Sequence, residues 1–328
     1  MFGRADCNIS LSGSEIGIGP LTPMDALLFH NPRAGSGDHS KKDMLAVLSS
    51  AGLRVTYCST KGPDFKAMLK ETADLVVVAG GDGTVRKVIT GIVDRGIPIA
   101  ILPLGTANNL ATSLGIGGDM RRHAAGWETG RRQRFDIGLV TASWGNQPFV
   151  EAVGCGIFAR AIGTKVDKDA TCEQKIQLGR DALLDILKKA DPLDVDIDID
   201  GVRVEGDLLA VEALNIGYIG SRLPFYPEAN SGDRVFDVVC IRREQRSDML
   251  DWLAAPDRTV SPATAVHGRR LRIEYDRDTP VRIDDELPDR LEKRSEIKVE
   301  MHGKPVEILL PVEAPHAADE KEIDQEEA

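Results

Sequence analysis

At 328 residues, with 42% hydrophobic and 28% charged residues, the chain has enough apolar material for two buried cores. Its formal net charge of −11 and its lack of any basic stripe exclude a nucleic-acid partner, because phosphate-backbone binding is carried by clustered Lys and Arg. Five dispersed cysteines without C-x-x-C spacing exclude a disulfide scaffold or a zinc knuckle and suit a reducing, cytoplasmic setting.

Residues 1–23 hold only short apolar stretches broken by Gly, Ser and Asp, and are expected to form a loose extension without a signal peptide. From 24 to 135, short apolar runs ("ALLFH", "LRVTYC", "LVVVAG", "IPIAILP") alternate with segments of helical spacing. Runs apolar on both faces read as parallel strands covered by helices, so an open, mainly parallel α/β sheet is expected, with ligands beyond the strands' carboxyl ends.

After "LVVVAGGDGT" the period changes. Val85, Val88, Ile89, Ile92 and Val93 form one helical stripe, which places a strand-to-helix turn at Gly80 to Gly83 and a helix start near Thr84. Such a turn presents unpaired N–H groups and lets an anion approach the backbone, so it suits phosphate. Asp82 would repel phosphate unless a divalent cation such as Mg²⁺ stands between them. On this turn alone, a packing role with Asp82 as helix cap is an equal reading. Two further polar, glycine-bearing loops, "HNPRAGSG" and "LPLGTANNLATSLG", follow the first and fourth strands and would open onto the same crevice.

From 136 to 312 the texture becomes short alternating runs, from "DVDIDID" and "LLAVEALNIG" to "VEILLP", which predicts an antiparallel, sandwich-like β unit. Its last strands are free to return to the first domain. Helices are expected over Glu173–Lys189 and Asp248–Ala254. Residues 313–328, with seven acids and one lysine, read as an acidic, disordered tail. No stretch reaches eighteen apolar residues, so membrane contact is expected to be peripheral.

"NPRAGSG", "GGDGTV" and "LPLGTANNLA", in that order and spacing, resemble the three signatures of the diacylglycerol kinase catalytic-domain family, which includes bacterial lipid kinases, sphingosine kinases and ceramide kinases. "RFDIG", "NIGYIGSRLPFYPEANSGDRVFDV" and "VRIDDELP" are similar to that family's second-domain segments, so the resemblance covers roughly residues 24–312. It implies an NAD-kinase-like, nucleotide-binding α/β domain (24–135), a β-rich lipid domain (136–312), and ATP with Mg²⁺ between them. By position it assigns Asn31, Arg33, Gly80, Gly81, Asp82, Gly83, Thr84, Gly105, Thr106 and Asn108 to the nucleotide. It assigns Asp284 and Glu286 to the acidic pair that takes the hydroxyl proton, with Asp82 a lesser base candidate, and Asp82, Asp136 and Asp233 to metal or interdomain structure. A lipid substrate at the inner face of the membrane is implied; a homodimer is left open.

The chain departs from the family pattern at three places. Arg86 and Lys87 follow the glycine turn where Asn-Glu is usual, which would put two cations near the phosphates. Asp285 replaces the glycine of an Asp-Gly-Glu triplet, and Arg234 follows Asp233 in place of glycine. Apart from the resemblance, "VRIDDELP" reads as a solvated hairpin turn. "RLPFYP" and "MLDWLAAP" either line a lipid cavity or fill the core. The alternatives to an ATP-dependent lipid kinase are a soluble-substrate kinase like NAD kinase and a nucleotide-binding regulator without turnover. P-loop and protein-kinase elements are absent from the sequence.

Overall fold

The computed structural model describes residues 23–35, 40–127, 130–164, 170–276, 278–288 and 294–310; the N-terminal extension up to residue 22 and the acidic tail lie outside the described residues. Four parallel strands, β1 (Met24–His30), β2 (Leu53–Ser59), β3 (Leu75–Gly80) and β4 (Ile99–Pro103), stand in the order β2-β1-β3-β4. The strands are apolar on both faces because helices cover both. On one face α1 (Lys41–Ser50) packs Met44, Val47 and Leu48 against Leu28, Val77 and Leu102. The short α2 (Phe65–Met68) and the longer α3 (Asp82–Ile92) and α4 (Asn109–Ser113) cover the other face, and α5 (Met120–Gly126) joins α1.

The α3 stripe is the predicted one: Val85, Val88, Ile89 and Ile92 are buried against Phe29, Val76, Val78 and Ile101. The helix starts two residues earlier than the sequence reading placed it. Extended Gly81 already serves as N-cap, so Asp82 and Gly83 are helical and the turn is confined to Gly81, directly after β3.

This sheet is completed by β5 (Arg132–Phe135) and, from the far end of the chain, β19 (Val306–Leu309). The latter lies between β4, to which it is parallel, and β5, to which it is antiparallel. Everything between β5 and β19 is an insertion into the first sheet. It comprises two antiparallel sheets. One orders β10 (Val202–Val204), β9 (Val195–Ile199), β16 (Arg270–Asp276), β18 (Arg294–Met301), β6 (Gly138–Ala142) and β7 (Gly145–Phe149). The other orders β15 (Ala265–Gly268), β14 (Phe236–Arg242), β11 (Leu208–Leu214), β8 (Ala152–Gly156) and β17 (Val281–Ile283). A short hairpin, β12 (Tyr218–Ile219) with β13 (Leu223–Pro224), stands apart.

The two sheets share a core of Val140, Phe149, Val211, Phe236, Leu271 and Ile297. In "DVDIDID", Ile197 and Ile199 face that core, while Asp196 is on the polar face with Arg203 and Arg294. The outer face of the second sheet carries α6 (Ile157–Ala161), α7 (Cys172–Lys189) and α8 (Arg246–Ala254). A capping box between Thr171 and Gln174 starts α7, and Leu183 and Leu187 anchor it. Phe225, Met249, Trp252 and Leu253 fill this core, so most of the two aromatic segments are packing material.

One polar contact is set deep in the insertion. Glu212, wholly buried on the all-buried β11, receives Arg282 Nε at 3.2 and 3.1 Å and lies 2.9 Å from Arg282 Nη2. Replacing Glu212 with Gln removes the hydrogen-bonded counter-charge of a buried guanidinium. Urea unfolding of Glu212→Gln is expected to show roughly 3–5 kcal/mol less stability than the parent chain.

Candidate active site

Three loops leave the carboxyl ends of β1, β3 and β4 and are tied to one another. Asn31, after β1, donates through Nδ2 to Thr84 Oγ1 on α3 at 3.2 Å, and its Oδ1 accepts the Arg33 N–H at 3.1 Å. Gly35, at φ +72°, backs onto the third loop, where a side chain would meet Leu104 O at 2.8 Å. Gly81 and Gly105 bring the second and third loops into contact, since a Cβ on Gly105 would lie 2.4 Å from Gly81 Cα. Asn108, itself left-handed at φ +52°, folds its amide back onto Gly105, accepting from Gly105 N at 2.8 Å and donating to Gly105 O at 3.0 Å. Asp82 Oδ1 accepts the Leu110 N–H of α4 at 3.1 Å. The start of α3 has no side-chain cap hydrogen bond, and its first intrahelical bonds run from the Thr84 and Val85 N–H groups to Gly81 O at 2.8 and 3.1 Å, behind Asp82 and Gly83.

The opposite wall comes from the β insertion. Asp284, held at φ +52° just after β17, is 2% exposed and accepts the N–H groups of Val150, Glu151 and Ala152 at 2.8–3.2 Å. Burial pushes its carboxyl up to about 6, against the lowering pull of those donors and of Arg86. Together these walls enclose one cavity of about 580 Å³, bordered by Asn31, Arg33, Gly81, Asp82, Gly83, Thr84, Gly105, Thr106, Asp284 and Asp285. Arg33, Lys61 and Lys87 supply positive charge at its edge, and Phe158, Ile162, Leu183 and Leu223 an apolar side. Of the two aromatic segments, only Leu223 reaches it.

Other candidates are elsewhere. Gly80 and Asn108 shape the loops without bordering the cavity; a Cβ on Gly80 would strike Thr84 at 2.7 Å. Glu286 is half exposed and takes a hydrogen bond from Arg86, which holds its carboxyl below the ordinary range. The Arg86 side chain is buried and turned to the acids, 3.5 Å from Asp285 and 3.8 Å from Asp284. The two cations expected at the phosphates are therefore split: Lys87 borders the cavity, whereas Arg86 neutralises the acidic loop of the insertion.

Asp82, Asp136 and Asp233 do not form one group. Asp136 is paired with Arg134 at 2.7 Å and accepts the Arg234 N–H at 2.8 Å, and Asp233 accepts the Val235 N–H at 3.0 Å, so both tie local backbone. Among the described residues no three His, Cys, Asp or Glu side chains gather at metal-ligating spacing.

Glu151 was missed by the sequence reading. It borders the cavity almost fully buried, accepts from Asn109 Nδ2 at 3.3 Å, and its carboxyl is driven well above the ordinary range by burial and by the charges of Asp82 and Asp284. The one signal available was an acid inside an apolar strand run, "PFVEAVGCG".

Residues 25–140 match the model of the diacylglycerol kinase catalytic domain, and residues 151–300 match that of the YegS C-terminal NAD kinase beta sandwich-like domain. A Klebsiella pneumoniae protein named "Probable lipid kinase YegS-like" is 32% identical over 212 residues, 61% of this chain and 68% of that one. The chain belongs to the diacylglycerol kinase catalytic-domain family. A diacylglycerol kinase of Bacillus subtilis is 26% identical over 240 residues, 69% of this chain and 76% of its own. The fold of this chain is shared by a diacylglycerol kinase structure from Bacillus anthracis, with a TM-score of 0.64, 20% identity and coverage of 87% of this chain and 96% of that one. A yeast NADH kinase complexed with NADH shares it at a TM-score of 0.55 and 12% identity, covering 92% and 88%. As a family member the chain is a phosphotransferase with an alcohol acceptor. Among its described residues no helix is long and apolar enough to cross a membrane.

Proposed function

We propose that the chain transfers the γ-phosphoryl group of ATP to a hydroxyl of diacylglycerol or of a sphingoid lipid such as ceramide, working peripherally at the inner face of the membrane. The observation that carries this reading is the single cavity in which three glycine-bearing loops face a buried acid from the inserted β unit. The α3 N-terminus and Gly81 and Gly105 admit phosphates close to backbone N–H groups, while Arg33, Lys61 and Lys87 balance their charge. The lipid's apolar portion lies toward Phe158, Ile162, Leu183 and Leu223, which brings its hydroxyl to Asp284.

Asp284 is the base favoured over Glu286, because it borders the cavity and Glu286 is engaged with Arg86 outside it. The hydroxyl oxygen forms the new bond to phosphorus as the bond to ADP breaks, and its proton passes to the Asp284 carboxylate. A loose transition state asks for little basicity, so alignment does most of the work. Magnesium suits the chemistry of Asp82, a buried carboxyl beside the phosphate loops whose pKa burial raises, and would supply neutralisation of phosphate charge.

The yeast NADH kinase fold favours one second reading, a soluble dinucleotide acceptor. Labelled ATP and Mg²⁺ would be offered with detergent-dispersed diacylglycerol, ceramide, sphingosine and NAD. Label in a lipid supports the proposal; label in NAD alone selects the second reading; ATP binding without transfer to any acceptor selects a regulator.

Arg86 tunes Asp284, because its cation lowers that carboxyl. Arg86→Gln is expected to move the acid limb of the kcat/KM profile to higher pH and to reduce turnover at pH 7 severalfold, since more Asp284 is protonated there.

A further inference from the structure

The loop from Gly105 to Asn108 takes part in the phosphate cradle, yet its own domain holds it mainly through the Asn108 amide. Two further hydrogen bonds to its backbone cross the cleft. Arg222, from the turn between β12 and β13, donates through Nε to Ala107 O at 3.0 Å and through Nη2 to Thr106 O at 2.8 Å. These are consecutive carbonyls at the crown of the loop, and both residues border the cavity. Beside them, Asn109 Nδ2 donates to Gly220 O at 3.0 Å and the Tyr218 N–H to Ser113 Oγ at 3.1 Å, so the same turn also grips α4.

The turn is itself braced from the lipid side. Arg222 is left-handed at φ +51°, an unfavourable conformation for a residue with a side chain, and its N–H closes a tight turn onto Gly220 O at 3.0 Å. Its carbonyl and that of Ser221 accept from Arg180 on α7 at 2.7 and 3.1 Å, and Arg180 is held by Asp257 at 2.6 Å. The guanidinium of Arg222 also lies 3.4 Å from Glu173, in the first turn of α7. Helix α7 contributes Gly179 and Leu183 to the cavity wall. A flat fork with two parallel donors spans two successive carbonyls, a geometry a lysine lacks.

We propose that Arg222 is a positioning residue that sets the nucleotide loop from the inserted domain, so that correct ATP geometry depends on the lipid half of the molecule. The proposal rests on the kinase reading above. ATP affinity would be measured by titration calorimetry on the full chain, with KM for ATP and for lipid and a thermal melt, for the parent, Arg222→Gln and Arg222→Lys. Arg222→Gln is expected to weaken ATP binding and raise KM for ATP about tenfold or more, with KM for lipid within about twofold. Arg222→Lys is expected to fall between the two. Wild-type ATP affinity in both variants overturns the role, as does an equal loss in both KM values; if Arg222→Gln fails to fold, Arg222→Lys decides alone. A parent chain that binds no ATP brings down the kinase reading and this inference with it, whereas a parent that binds beside unaffected variants brings down only the inference.

Discussion

Asp284→Asn is expected to reduce kcat for lipid phosphorylation by about 10²–10⁴-fold while leaving ATP affinity within a few-fold. The amide is nearly the same shape and its oxygen can still accept from Val150, Glu151 or Ala152, but it cannot take a proton from the attacking hydroxyl. Steady-state kinetics with a parallel melt separate lost chemistry from lost folding. In the parent, activity should fall as pH drops through about 6, where the buried Asp284 carboxyl becomes protonated. Glu286→Gln should cost far less, because Glu286 is half exposed and meets Arg86 rather than the cavity. The opposite ranking, with Glu286→Gln the more damaging, would move the base.

Gly105→Ala should abolish ATP binding within the measurable range. The added methyl would sit 2.4 Å from Gly81 Cα and 2.7 Å from Asn108 Oδ1, so either the second and third loops separate or the Asn108 amide gives up its two bonds to Gly105. Overpacking of this kind costs about 1–3 kcal/mol of stability, which leaves a folded protein whose phosphate cradle is misshapen. Nucleotide titration and a melt on the same preparation would show this; unchanged affinity would mean that phosphates do not bind where the two glycines touch.

The three loops were legible in the sequence because backbone contact restricts residue choice locally: only glycine lets the second and third loops touch, and that demand is written at Gly81 and Gly105. The α3 stripe was legible for the same local reason, while its first residues were not, since an extended Gly81 replaced the side-chain cap that sequence reading looks for. Asp284 stood out only through family resemblance. By itself "VRIDDELP" is ordinary turn chemistry, and three backbone donors more than 130 residues away make it a buried acid. Arg86 was misjudged because its direction is set by acids 200 residues further on. Glu151 was missed for a related reason: an acid in an apolar run stands out, but what surrounds it is decided by other segments, here Asp82, Asp284, Arg282 and Asn109.

The position of β19 has a bearing on how the molecule is made. Between β4 and the outermost strand β5 there is a place that residues 306–309 fill, so during synthesis the nucleotide-binding half waits, with an open seam, until the inserted β unit and the strand after it have left the ribosome. A fragment ending at residue 300 would carry every loop that touches the cavity and still lack the strand that closes the sheet beneath them, so neither half is a natural unit for expression on its own.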